Sequence, residues 1–194
     1  VKGRKMDWLL PFLCHQLPER TPHLAGAAFP LCFRCSGTYL GLFAAYLYLA
    51  CSGGFKRSLP CIPALIAGSV LMLPFLIDGW ANTLHWWDTQ GWVRLLTGLG
   101  QGIMLPLLLV PIASGNVFPD DWARFKPALP SIGSLVWPLA LALGLGGALI
   151  FTASEAVFHA LGIAVQFAAL LFFANFALTL LRLGRWAQSR QHAA

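Results

Sequence analysis

The sequence predicts an all-α fold: an integral membrane bundle of about five transmembrane helices preceded by a Cys/His-containing interfacial loop. Two bulk properties and one pattern lead there. Of the 194 residues, 58% are hydrophobic and only 10% charged, where soluble domains carry about a quarter charged residues. The mean hydropathy is +0.69. The pattern is a series of apolar stretches separated by breakers, each long enough to cross about 30 Å of hydrocarbon at about 1.5 Å per residue.

Residues 1–13 (VKGRKMDWLLPFL) place basic residues ahead of a short apolar patch broken by Pro11. A secretory signal needs a longer apolar core and a small-residue cleavage site, so this stretch reads as an interfacial lead-in with Trp8 at headgroup depth. The spans are expected at 36–52, 59–78, 93–114, 132–152 and 156–183. Gly53 and Gly54, then Asp78, Gly79 and Asn82, then Asn116, Pro119 and Asp120 mark the connections. Gly37 with Gly41, and Gly98 with Gly102, are small residues four apart, the spacing that lets membrane helices approach closely. Pro63, Pro74, Pro106, Pro111 and Pro138 fall within spans, where they are tolerated if neighbours satisfy the freed carbonyls. The division is an N-terminal segment 1–35 carrying the Cys/His cluster and a bundle 36–194, forming a single domain overall. No repeat or separate soluble domain is evident.

Three of the five cysteines lie close together in residues 14–35, with Cys14 beside His15 and Cys32 and Cys35 in a CxxC. Two thiols three residues apart can point at one atom, and the loop containing Pro18, Pro22, Gly26 and Pro30 can turn back to bring Cys14 or His15 to them. Such a set serves a tetrahedral soft-metal site, zinc or another soft transition metal, on Cys14, His15, Cys32 and Cys35, a dithiol that cycles with a disulfide, or plain packing of small apolar side chains at the membrane boundary. Cys51 and Cys61, across the first hairpin, read as packing at helix ends.

The run CHQxPER, a glycine, and PxCxRCxGxYxG is carried here by Cys14, His15, Gln16, Pro18, Arg20, Gly26, Pro30, Cys32, Arg34, Cys35, Gly37, Tyr39 and Gly41. It resembles the family of small prokaryotic predicted membrane proteins called domain of unknown function 2085. A weaker likeness continues through Asp78, Gly79, Arg94, Thr97 and Gly98. The resemblance implies one membrane domain with a cysteine site in a prokaryotic inner membrane, and it implies no reaction.

Five crossings bring the start of the first span, the turn between the second and third, and the turn between the fourth and fifth to one side. Cys14, His15, Glu19, Cys32, Cys35, Asp78, His85, Asp88, Arg94, Glu155 and His159 all fall there. Lys56, Arg57, Arg124, Lys126, Arg182, Arg185 and Arg190 fall on the other side. With residues 1–5 set aside, the cysteine side offers only Arg20, Arg34 and Arg94, so the positive-inside rule puts the C-terminus in the cytoplasm and the cysteines outside it. Trp80, Trp86, Trp87 and Trp92 read as an interfacial belt on the cysteine side. The net charge of +6 flanks apolar segments and meets the headgroups of the lipid bilayer. It forms no basic run interleaved with aromatics, and no nucleic-acid partner is expected.

Among the ionisable residues, Asp78 and Arg94 end and begin neighbouring spans and are expected to pair at the boundary, where a lone charge is costly. Arg94 could hold an anionic headgroup while Asp78 orients it or acts as a base. Glu155 and His159, four apart, share a helix face. These residues support three function classes. A metalloprotein could act on a lipid or headgroup substrate, with Glu19, Asp78, Arg94 and His159 as candidate catalytic residues. Cys32 and Cys35 could carry out thiol-disulfide exchange. A metal or small-solute carrier is the third class, which the near absence of charge within the spans, where Gln101 and Gln166 are the main polar residues, counts against.

Overall fold

The computed structural model describes residue 14 and residues 17–56, 58–115 and 125–191. Among these residues five α-helices stand where the apolar stretches predict them: α1 (Phe33–Cys51), α2 (Ile62–Thr83), α3 (Gly91–Ala113), α4 (Val136–Phe151) and α5 (Glu155–Gln191). A two-residue antiparallel ribbon, β1 (His23–Leu24) with β2 (Ala27–Ala28), precedes them. The all-α membrane bundle is therefore the observed fold.

Among the described residues four segments are long and apolar enough to cross a bilayer: Ile62–Thr83, Gly91–Ala113, Ile132–Phe151 and Glu155–Gln188. The helix not among them is α1, at 19 residues. Arg34, Ser36, Thr38 and three tyrosines dilute its apolar character, and its position explains how it can carry them. It packs against α3, α4 and α5, and its Ser36, Tyr39, Leu40, Leu42, Ala45 and Leu49 are buried. A helix screened from lipid by its neighbours need not be apolar all round, whereas those that screen it must be. Ile62, Ile66, Val70, Leu73 and Ile77 on α2, and Ile163, Phe167 and Leu181 on α5, accordingly lie exposed on the outside.

Although α1 and α2 are consecutive, α2 packs on the outer side of α3. What places α3 between them is the glycine pattern. A Cβ built on Gly37 would overlap the carbonyl oxygen of Leu95, and one on Gly102 that of Thr38. Gly41 and Gly98 repeat the relation, a Cβ built on the former falling 2.6 Å from Leu99 O. Lipid offers no hydrophobic drive to bring helices together, so contact this close supplies association through dispersion over a long seam.

The chain ends sort into two poles. At one, Phe29 meets Phe158 of α5 edge-on at 5.1 Å, and Arg34 of α1 reaches Asp78 at the end of α2. At the other, residues 126–129 run beneath the α1–α2 turn: Ser58 N donates to Lys126 O at 3.0 Å, Ala128 N to Ser58 O at 2.9 Å, and Tyr48 Oη to Ala128 O at 3.2 Å. Trp80, Trp86, Trp87 and Trp92 are exposed at the first pole, as an aromatic belt requires.

Gly102→Ala is expected to lower thermal stability in detergent by about 3 kcal/mol or more, because the opposing atom is backbone and cannot yield. Gly144→Ala in α4, where an added methyl meets nothing within 4 Å, should leave the unfolding temperature unchanged or raise it.

Candidate metal centre

The loop that returns Cys14 to the CxxC is held by local hydrogen bonds. A short 3-10 turn, Pro18–Arg20, is closed by Thr21 Oγ1 donating to Leu17 O at 2.8 Å. Ala25 and Gly26 both take positive φ, 48° and 78°, which is the tight two-residue turn that suits a β-ribbon and favours glycine at its second place. Phe29 N then donates to Pro22 O at 2.8 Å, and Phe29 and Leu31 are buried. The chain therefore enters α1 from a fixed direction.

At that entry Cys32 is the N-cap residue of α1, and Cys35 lies in the first turn. Cys32 N donates to Cys14 Sγ at 3.3 Å. The three sulfurs of Cys14, Cys32 and Cys35 all lie within 4.8 Å of one another, Cys14 being buried and the other two half-buried. Sulfurs bound to one tetrahedral zinc at about 2.3 Å stand about 3.8 Å apart, so the observed cluster is compatible with a metal ion after a small inward movement. The donor set is soft, which suits zinc and similar transition metals over magnesium or calcium. The Cys14 thiol beside it, assisted by burial, pushes the Cys32 thiol above its usual range, with Cys35 acting in the opposite sense. A cation taking the place of the protons would relieve that crowding of negative charge.

His15 lies outside the described residues. Among those described, no histidine, aspartate or glutamate joins the three sulfurs. Glu19 is exposed on the 3-10 turn, and His159 is exposed on α5 next to Phe158. Both share the cysteine pole without entering the cluster. Cys51 is exposed and Cys61 half-buried at the far pole, both as thiols.

The expected pairing of Asp78 with Arg94 is replaced by an exchange of partners. Asp78 accepts from Arg34 Nη2 and from Thr89 Oγ1. Arg94 instead donates to Asp88, and its Nε lies 2.9 Å from Thr89 O and 3.1 Å from Thr89 Oγ1. Thr89 thus joins the two ion pairs, and Arg20 extends the network to Asn82 Oδ1 at 3.2 Å and Asp88 at 3.5 Å. Arg34 and Arg94 both stand in the first turn of a helix, where a guanidinium opposes the helix dipole and a nearby carboxylate offsets it. That argument calls for an acid beside each arginine without choosing between the acids, and neither the exchange nor the bridging role of Thr89 was signalled by the sequence.

Comparison with known proteins places this sequence in a family. Residues 14–108 match the family model described as "Predicted membrane protein (DUF2085)". An uncharacterized protein of Methanothermobacter thermautotrophicus is 35% identical over 97 residues, covering 50% of this chain and 84% of that one. An uncharacterized protein of Methanocaldococcus jannaschii is 25% identical over 103 residues, covering 52% of this chain and 63% of that one. No solved structure matches.

The Asp78 side chain is 5% exposed and that of Asp88 77%, but the guanidiniums they hold are 22% and 6% exposed. Removing either acid strands a guanidinium with little access to water, so Asp78→Ala and Asp88→Ala are each expected to cost about 3 kcal/mol. Unfolding of both variants in one detergent checks this, and a cost of about 1 kcal/mol or less for Asp88→Ala would mean that Thr89 suffices to hold Arg94.

Proposed function

Because the chain belongs to the domain of unknown function 2085 family of predicted membrane proteins, we propose that it is a membrane protein holding a soft metal ion, zinc foremost, on Cys14, Cys32 and Cys35 at one membrane face. The observation that carries this reading is the convergence of a third sulfur, from a residue 18 positions before the CxxC, onto the first turn of α1. A lone CxxC could be packing. A third thiol folded back onto it by a hydrogen-bonded loop is the arrangement a metal needs. His15, next to Cys14 in sequence, is the proposed fourth ligand. The positive-inside argument puts this face outside the cytoplasm of a prokaryotic inner membrane and the C-terminus within it.

Zinc bound there would supply a structural clamp or, with an open position, Lewis acidity toward an oxygen. In the enzymatic form of this reading the substrate is a lipid or its headgroup. Arg20, Arg34 and Arg94 set three guanidiniums against the two carboxylates of Asp78 and Asp88, leaving an excess positive charge to attract an anionic headgroup. Asp78 is engaged by Arg34 and Thr89, so its part is to position the guanidinium, as Asp88 positions Arg94. Glu19 and His159, both exposed at this pole, are the groups left to move protons.

One observation favours a second reading, thiol-disulfide exchange. Cys32 and Cys35 stand at the N-terminus of α1, where the helix dipole favours thiolate against the upward push of Cys14 and burial on Cys32. In that case one thiolate of the pair attacks a partner disulfide and releases one partner thiol, the other thiol of the pair resolves the mixed disulfide and releases the second, and two electrons and two protons pass to the partner as Cys32–Cys35 forms.

Elemental analysis and a thiol count on the same purified sample separate the two. The metal reading expects about one zinc per chain, with the three site thiols protected from alkylation until chelator is added, and loss of metal in Cys35→Ser. Metal-free protein that shows a reversible two-thiol mass-tag shift with reductant would replace it by the redox reading.

A further inference from the structure

Away from the cysteine pole, a cleft of about 290 Å³ opens between α1 and α5, lined among others by Phe43, Tyr46, Leu47, Phe167, Leu171 and Asn175. Its depth follows from helix geometry. Tyr46 is 13 residues beyond Phe33 and Asn175 is 20 beyond Glu155, about 20 Å and 30 Å along helices that both start at the cysteine pole. The cleft therefore belongs to the opposite half of the bundle. Its outer rim is lipid-facing, since Leu47, Phe167 and Leu178 are exposed.

Inside it are two polar atoms that the fold leaves unsatisfied. Tyr46 is 6% exposed, and neither its hydroxyl nor Asn175 Oδ1 has a hydrogen-bond partner among the described residues. In hydrocarbon each such group costs on the order of several kcal/mol. An apolar pair in the same places would pack as well at no such cost, so this arrangement suits a guest. The lining constrains the guest's chemistry. No lining residue carries a charge, which excludes an ionised headgroup at this depth. Asn175 Oδ1 only accepts, whereas the phenol can donate. A single hydroxyl satisfies both, accepting from Tyr46 and donating to Asn175, and a bare ketone or ester oxygen satisfies only the first. Phe43, Phe167 and Leu171 offer apolar surface beside that point.

We propose that this cleft is a binding site for an uncharged membrane alcohol, its hydroxyl held between Tyr46 and Asn175 and its hydrocarbon lying along Phe167 and Leu171. The site is separate from the cysteine cluster and does not depend on the metal reading.

The test uses the full chain in phosphatidylcholine nanodiscs, with unfolding temperature followed as alcohol is titrated in. Dioleoylglycerol represents a glycerolipid alcohol and a decyl hydroquinone a ring alcohol. Trioleoylglycerol and the hydroquinone's dimethyl ether are the hydroxyl-free controls. The expected result is a saturable rise with at least one alcohol and none with its control, the responding alcohol identifying the source. Tyr46→Phe and Asn175→Leu should each weaken the apparent Kd about three- to tenfold, with the ligand-free Tyr46→Phe protein no less stable than its parent. Phe43→Trp, which fills the cleft, should abolish the rise, and zinc content should be the same in all three variants. If both alcohols act no differently from their controls, or if affinity survives Tyr46→Phe, Asn175→Leu and Phe43→Trp alike, the proposal is overturned.

Discussion

At Gly37, Gly41, Gly98 and Gly102 the backbones of α1 and α3 come so close that a methyl group on any of them would meet a carbonyl oxygen of the other helix. In a bilayer, where apolar surface gains nothing by leaving lipid for protein, dispersion along such a seam and the absence of bulky side chains are what bring helices into register. The register then decides what stands at the cysteine pole. The same seam runs past Arg34 and Leu95, so the first turn of α1, with Cys32, Cys35 and Arg34, is set level with the first turn of α3, with Arg94. A shift of one turn, about 5.4 Å, would carry the CxxC out of reach of Cys14 and Arg34 away from Asp78.

The charged network closes the same pole. α2 packs on α3, not on α1, and the Arg34–Asp78 contact ties the start of α1 to the end of α2 across that gap. Charge at a membrane boundary is costly when alone and useful when paired. Here pairing also fixes the direction from which the N-terminal loop arrives, through Arg20 on Asn82 and Asp88. The thiol cluster and the ion pairs therefore share one scaffold, and the residues matched by the family model, 14–108, contain both. The α5 wall of the intramembrane cleft lies beyond that stretch, so the two candidate sites divide along the chain as well as across the bilayer.

The amino-acid sequence by itself determined the membrane class, the place of the five helices, the second and fifth of which run five and eight residues past their expected ends, and the gathering of Cys14, Cys32, Cys35, Asp78 and Arg94 at one pole. Those features rest on run length, breaker residues and parity, all of which are local or additive along the chain. It also marked a close-approach face on α1 and another on α3, because glycines four apart have few other uses in a membrane helix; that the two faces meet was not in the pattern. Only the tertiary structure decided that α1 is the screened helix with α3 lying between it and α2, that Asp78 takes Arg34 while Arg94 turns to Asp88, and that Tyr46 and Asn175 share a cleft. Each of those depends on how far a helix is rotated about its own axis, a quantity set by the packing of all its neighbours at once. Periodicity states which residues share a face, and the face gets its partner only when the bundle closes.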